Sequence, residues 1–558
     1  MAATVSETQG QKWFRGLAAV TELREVELGR DPLSTDELIA LARQALDLVA
    51  GLYVHLPMKR AMYGVDPEQR LRLLLSRLRA ETGGTGASLA ERHVTELQFH
   101  NEMLDIFASL RDLHTTYILP SPYRDRIAFL PFMVEECVGD RGETHFAITK
   151  THESVQHPTF RRGAMVRYWN GTPIGLAVEL NGRRTGGSNP AARRARGTDW
   201  LTFRWLGRIA RPDEDWVRIH YWYGGAQHVE EFPWWTAERP EDFGESTGLA
   251  RDGLLRGVDQ EGEWIRQVKR YLFGDAGTTP DTMKTTMPEV FRARKLADPE
   301  DEEPFGYLRI FTFAADRAQI VTEAARLLRR LPKRGLVLDV RGNGGGDIGA
   351  AEDVLQLLTK TPIAREPFAF LNTPLALDAL SSRAFPRDAD EDLAAIRTSV
   401  EVGIQTGSQY SRPFPLAGPD TAGAPLRRAY PGPVVLLVDA LSYSATDVFA
   451  AGFQDNGIGV KVIGTSGRTG AGGANVWDSE DVDRVLSANG DLRFHPAAHR
   501  GGFTVAARRC SRVGRDAGMP LEDLGVEPDD VVRLTIEDVL GNNGDLIARA
   551  IDALKPAA

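Results

Sequence analysis

Pro431 to Gly464 reads PGPVVLLVDALSYSATDVFAAGFQDNGIGVKVIG. Val434 to Val438 is an unbroken apolar run, the pattern of a strand buried on both faces. A short turn holding Ser442 and Ser444 follows, then a helical pattern from Ala445, then the strand VKVIG (Val460 to Gly464). Strand, helix and strand at this spacing predict an α/β core. Ser444 opens the helix, where the first backbone amides have no intrahelical acceptor and carry partial positive charge. A hydroxyl in that position stands beside groups able to stabilise an oxyanion. A serine there is equally an ordinary N-cap, which any helix can carry. On this stretch alone both readings stay open.

A second stretch bears on the choice. Gly335 to Gly346, GLVLDVRGNGGG, is another buried strand running into a glycine-rich loop, followed by a helical segment from Ile348 to about Lys360. Successive glycines let backbone amides face a ligand where side chains would block approach. The two stretches together resemble the carboxy-terminal processing peptidases and the tricorn core protease, a family of serine peptidases. The pieces that carry the resemblance are FGYLRIFTF (Phe305 to Phe313), LVLDVRGNGGGD (Leu336 to Asp347), LSYSATDVFAAGFQDNG (Leu441 to Gly457), VKVIG and LEDLGVEPDD (Leu521 to Asp530). They follow the family's order across most of the C-terminal half. The resemblance implies a crotonase-like α/β catalytic core of ββα units, preceded by an N-terminal helical domain and a β-rich PDZ-like domain.

The chain of 558 residues is too long for one core. We expect a helical domain over 1–124, a PDZ-like domain over 125–238, a linker over 239–304 and a peptidase core over 305–558 with an insertion at 373–430. Ser34 with Glu37 and Ser88 with Glu91 have capping-box spacing, and Asp66-Pro67 is a cap followed by proline at the first helical turn. Met103, Phe107 and Leu110 recur at helical spacing, and His114 extends that stripe. From Arg126 to Trp235 the pattern alternates as in strands. GAMVRYWNGTPI (Gly163 to Ile174) resembles a PDZ signature, with Ala164 where an aspartate is usual. Such a module takes a peptide as an added strand.

A net charge of -10 argues against nucleic acid or an anionic membrane as the main partner. Cys137 and Cys510 make neither a disulfide framework nor a metal pattern. The N-terminal residues lack the pattern of a signal peptide and no run is long enough for a membrane span, so no membrane insertion and a cytoplasmic location are expected. Polypeptide or oligopeptide substrates are the implied partners, with homo-oligomerisation known in the family and no cofactor or metal implied.

The resemblance assigns roles residue by residue. Ser444 stands at the nucleophile position. Ala445 N–H and a backbone N–H of Gly344 or Gly345 would form the oxyanion hole. Ser442 is the near alternative nucleophile, with its side chain expected to point elsewhere. One branch of the family uses a lysine base after the second strand. TSGRTGAGG (Thr465 to Gly473) lacks it, and Lys461 lies within the strand itself. The tricorn-like branch uses a histidine from the helical front, matched by His114 in DLHTTY, with a supporting glutamate matched by Glu522. Leu113 stands where that branch has a relay serine, so Glu522 would act directly or through Thr115, Thr116 or water. An imidazole can take the serine proton and return it to a leaving amine.

His495 and His499 are reserve candidates for the base, and His93 and His100 lack an acidic ligand set for a metal. Asp339, Arg341 and Asp455 are expected to be structural. The glycine loop lacks the lysine and hydroxyl of a phosphate cradle. A catalytically inactive family member that binds peptide or a hydrophobic ligand is the alternative reading, and an acyl-CoA enzyme of the wider crotonase-like group the third.

Overall fold

The computed structural model describes residues 13–14, 16–26, 32–82, 94–209, 211–238, 256–274, 282–298, 301–384, 391–415, 427–494, 501–541 and 543–555. Its centre is a seven-stranded sheet in the order Thr282–Met283, Phe291–Asp298, Asp301–Ile310, Leu336–Asp339, Val434–Val438, Lys461–Gly464 and Asp530–Val531. The last five are parallel to their neighbours and the first two joins are antiparallel. Side chains on a strand alternate between faces. Val434, Leu436 and Val438 therefore pack into one apolar cluster with the helices Arg317–Arg330, Ile348–Gln356 and Ala445–Asp455. Val435 and Leu437 pack on the other face against the helix Gly544–Leu554. Both faces are covered, which is why the run reads as continuously apolar.

The front of the chain is not a separate helical body. The helices Thr35–Gly51, Pro67–Thr82 and Glu96–Ser109 share one core with Phe370, Trp477, Phe503 and Val505 from the rear half. Ser34 and Glu37 form the expected capping box. The pair Ser88 and Glu91 lies outside the described residues, and the third helix is capped by Thr95 with Gln98. Ahead of the helices, Ala18–Glu22 is a strand in a four-stranded sheet with Trp235–Glu238, Arg126–Phe129 and Phe203–Trp205.

The stretch IAFLPFMVEECV, expected as one strand region, divides at Leu130-Pro131. Arg126–Phe129 joins that four-stranded sheet, while Phe132–Val138 is the edge of a six-stranded antiparallel sheet. Proline has no N–H to give a ladder, so the break falls there. The segment expected as a linker over 239–304 is largely structural where described. It supplies the helix Gln260–Phe273, an outer strand of the central sheet at Phe291–Asp298, and Arg256–Val258, which pairs antiparallel with Gly345–Asp347. The two described helices of the 373–430 insertion, Pro374–Leu380 and Glu391–Thr406, pack against the front helices through Ala376, Ala379 and Val400. Among the described residues no single helix is long and apolar enough to cross a membrane.

Candidate active site

Ser444 sits between the strand Val434–Val438 and the helix Ala445–Asp455 with φ 62 and ψ -121. A non-glycine residue held there stores strain of about 1–3 kcal/mol, and the surroundings show what holds it. Its own N–H donates to Asp447 Oδ2 at 2.8 Å. The same carboxylate accepts from Ala471 N at 3.0 Å and Gly472 N at 2.8 Å. Burial pushes the Asp447 carboxyl up to about 6, against the bonds it receives. Tyr443 N donates to the carbonyl of Asn343 at 3.0 Å, which joins the serine turn to the glycine loop. Ser442 points away, its hydroxyl donating to the carbonyl of Val340 or to Asp439 Oδ1, both at 3.0 Å.

His114 Nε2 lies 2.9 Å from Ser444 Oγ across 330 positions of sequence. The imidazole does not continue the preceding helix. It stands in the turn after Leu110, where Asp112 Oδ1 accepts the His114 amide at 2.8 Å. The chain then enters Thr116–Ile118, which pairs with Gly502–Cys510 through Thr116 opposite Thr504 and Tyr117 opposite Phe503. That ladder delivers the histidine to the rear half. The ring rests on Tyr443, centroids 4.6 Å apart. Burial, then the cations Arg208, Arg196 and Lys59, push the imidazole down to about 3, with Asp259 opposing them. It is therefore neutral at physiological pH, the state a general base requires. Ser444 is 0% and His114 2% exposed, so both groups of the pair are buried.

The other expected site residues are placed less simply. Glu522 is buried beside the site, but its Oε1 accepts from Lys59 Nζ at 2.7 Å, and no hydrogen bond joins it to His114 among the described residues. The relay hydroxyls are committed elsewhere: Thr115 donates to Asp112 at 3.2 Å and accepts from Ala506 N at 3.0 Å, and Thr116 pairs with Thr504 at 2.8 Å. His114 Nδ1 and Glu522 Oε2 are both buried without a hydrogen bond among the described residues, the latter 3.9 Å from His55 Nε2. Of the glycine amides, Gly345 N donates to Asn343 Oδ1 at 2.9 Å, which removes it from the oxyanion set. Among the described residues neither Gly344 N nor Ala445 N has a protein acceptor. Gly346 serves packing instead: its φ is 142, and a Cβ would lie 2.0 Å from the carbonyl carbon of Phe313.

Lys461 is half-exposed and 3.8 Å from Asp530, so it takes no part. Asp339 is held by Arg309 and Arg341, and Asp455 by Arg512, as structural ion pairs. His100 bonds Tyr117 at 2.9 Å inside the helical core. His93, His495 and His499 lie outside the described residues. His55, Asp112 and Glu522 bring one ligand-type atom each within 4.8 Å of one another, but the Lys59 ammonium already neutralises that cluster.

Several residues around the site were not singled out from sequence. Asp447 had a signal in the S-A-T-D spacing, which matches a reciprocal helix cap. Lys59, Arg196 and Asp259 had none, since their partners are remote in sequence.

Residues 304–487 match the family model described as Peptidase family S41. That interval holds Ser444 and the glycine loop but neither His114 nor Glu522. No curated protein sequence matches the chain. Among solved structures, mature CPAF superposes with a TM-score of 0.65 at 16% identity, covering 93% of this chain and 97% of that one. Mature CPAF complexed with lactacystin superposes with a TM-score of 0.62 at 16% identity, covering 93% and 98%. At that identity the likeness shows a shared fold over nearly the whole length of both chains. With the serine turn and the glycine loop both inside the matched interval, residues 304–487 form a domain of peptidase family S41, and the protein is a serine-type peptidase.

Proposed function

We propose that the protein is a serine endopeptidase or oligopeptidase that cleaves polypeptides through an acyl-enzyme, with Ser444 as nucleophile and His114 as general base. The observation that carries this reading is the 2.9 Å contact between a neutral imidazole and a hydroxyl set on a strained helix entry. In the attack step Ser444 Oγ bonds to the scissile carbonyl carbon as its proton passes to His114 Nε2. The amides of Ala445 and Gly344 receive the oxyanion, and the imidazolium then protonates the leaving amine. Water deacylates the enzyme by the reverse use of the same base. Glu522 supports the imidazolium through a water that joins its Oε2 to His114 Nδ1, both buried atoms lacking a hydrogen bond to protein.

We read the core as crotonase-like and residues 125–238 as a PDZ-like module that presents peptide to it. In support, the edge strand Phe132–Val138 and the helix Pro190–Asp199 border a groove of about 600 Å³ that reaches Leu441 of the serine turn. Ser188 and Asn189, just before that helix, donate to the carbonyls of Ala471 and Thr469 at 2.9 and 2.8 Å. The module is thereby tied to the loop that carries Asp447's partners. Val138 at one end of that edge already donates to the carbonyl of Leu534, and an extended peptide added to the rest of it would lie in the groove that reaches Leu441.

The test is Ser444→Ala. It should abolish both fluorophosphonate labelling and casein cleavage while leaving the unfolding transition in place. Labelling that persists in the variant assigns the nucleophile to another residue. Lactacystin, captured on mature CPAF, is a second probe whose adduct should map to Ser444.

A further inference from the structure

A cavity of about 290 Å³ is walled in part by Gly344 of the glycine loop and Leu441 of the serine turn. The chain as a whole is acidic, yet seven of the side chains lining this cavity are lysine or arginine and three are aspartate or glutamate. Some of these cations are spent. Lys269 pairs with Asp199 at 2.8 Å, Arg266 with Glu263 at 2.7 Å, and Arg270 with Glu289.

Three arginines differ. Arg196 gives Nη1 to Asp259 at 2.7 Å, but its Nε and Nη2 are buried with no acceptor. Arg309 gives Nη1 to Asp339 at 2.8 Å and Nη2 to the carbonyl of Arg341, and only its Nε is buried without an acceptor. Arg292 lies over the Phe311 ring at 5.3 Å and has no carboxylate partner among the described residues. A buried donor left without an acceptor is costly, a cost a fold tolerates where a ligand supplies the acceptor. A guanidinium fork matches a carboxylate in plane and in spacing. Burial, and then Asp259, push the carboxyl of Glu261 in the same wall up to about 7, which weakens its negative charge near neutral pH. The position relative to the chemistry is also given: the Arg196 guanidinium lies 5.3 Å over the ring of Tyr443, the residue before the nucleophile.

We propose that this cavity is a specificity pocket for an acidic side chain, Asp or Glu, of a polypeptide substrate, held by the unspent donors of Arg196 and Arg309 with Arg292 beside them. The assignment rests on the peptidase reading only for what is done with the bound peptide. A volume of about 290 Å³ equals the liquid share of about ten waters, ample for one such side chain.

Binding is measured on the full-length Ser444→Ala protein by fluorescence anisotropy. The probes are fluorescein-labelled, C-terminally amidated dodecapeptide pools that carry either one Glu or one Gln. The Glu pool should bind at least tenfold more tightly. Arg292→Gln should bring the two pools within threefold of each other, and Arg292→Glu should reverse the order. Arg196→Gln should act in the same direction; because it also breaks the bridge to Asp259, the Arg292 variants decide the matter if it fails to fold. Equal affinity of the two pools for the Ser444→Ala protein overturns the proposal. The same pools are also measured with a free C-terminal carboxylate, and a preference that arises only in these and ignores the internal Glu overturns it too. Cleavage of the same pools by the unsubstituted protein separates the two readings. Glu-selective binding without cleavage removes the peptidase mechanism and keeps the pocket, while cleavage without Glu selectivity does the reverse.

Discussion

The ammonium of Lys59 lies 2.7 Å from Glu522 Oε1 and 2.8 Å from Asp523 Oδ2, fully buried, and donates to the carbonyl of Arg111 at 3.0 Å. Burial works to lower its pKa, but Glu522, Asp523 and Asp112 outweigh that and raise it, so the lysine stays charged. One cation thus compensates a buried acidic cluster and braces the turn that carries His114. Lys59→Met leaves the carboxylates without that charge and should destabilise the protein by about 3–5 kcal/mol. Urea unfolding at pH 7.5 measures this; a change below about 1 kcal/mol would show that the cluster does not depend on Lys59.

Glu522→Gln separates two roles for the same carboxylate. Support of the imidazolium predicts a fall of at least about tenfold in kcat with KM little changed, since the interaction strengthens only in the transition state. A partner of Lys59 and nothing more predicts a lower unfolding midpoint with kcat intact. Steady-state kinetics beside a thermal melt distinguishes them.

His114 should give this enzyme an unusual acid profile. Burial, with Arg208, Arg196 and Lys59, pushes the folded imidazole down to about 3, against about 6.5 in an unfolded chain. Below about 6.5 the unfolded state takes a proton that the folded state refuses, so this group's contribution to stability is full above that pH and is lost as pH falls toward about 3. For the same reason kcat/KM should show no acid limb near pH 6.5. Arg208→Gln should move the histidine titration upward. A wild-type limb at pH 6.5 in kcat/KM would contradict this account.

Asp447 carries the opposite sign. Its folded carboxyl is pushed up to about 6, above its ordinary 3.8, by burial. The folded state then holds a proton that the unfolded state has released, so the stabilisation present below about pH 4 is lost as pH rises through about 6. Asp447→Asn should remove that dependence, worth about 3 kcal/mol across the window. It should also lower kcat, because a single amide oxygen cannot accept from Ser444, Ala471 and Gly472 as the carboxylate does. Urea midpoints at pH 4 and 7 for both proteins provide the check.

Much of this was readable along the chain because the relevant physics is local. Val434 to Val438 announces a strand covered on both sides, Ser34 with Glu37 announces a helix start, and SYSATD between strand and helix announces an exposed set of amide donors. The assignments that failed depended on remote partners. Gly345 looked as available as Gly344 until Asn343 claimed its amide. Thr115 and Thr116 looked like relays until Ala506 and Thr504 claimed their hydroxyls. The charged stretch before Phe305 looked like a linker around one helix, yet an outer strand of the central sheet, Phe291–Asp298, was hidden there, and its charges include members of buried pairs such as Asp259 with Arg196.

The sequence by itself determined the elements and the chemical types: a buried strand ending in serine, a second ending in glycines, and a histidine in the front half. Side-chain periodicity and capping are properties of neighbours a few positions apart. Only the tertiary structure decided that His114 meets Ser444. The meeting depends on the strand Thr116–Ile118 completing a sheet with Gly502–Cys510, and strand pairing between distant segments leaves no signature in either segment alone. The same holds for the carboxylates that Lys59 neutralises and for the arginines left with donors to spare. Burial sets their protonation and availability, and burial is a property of the whole fold.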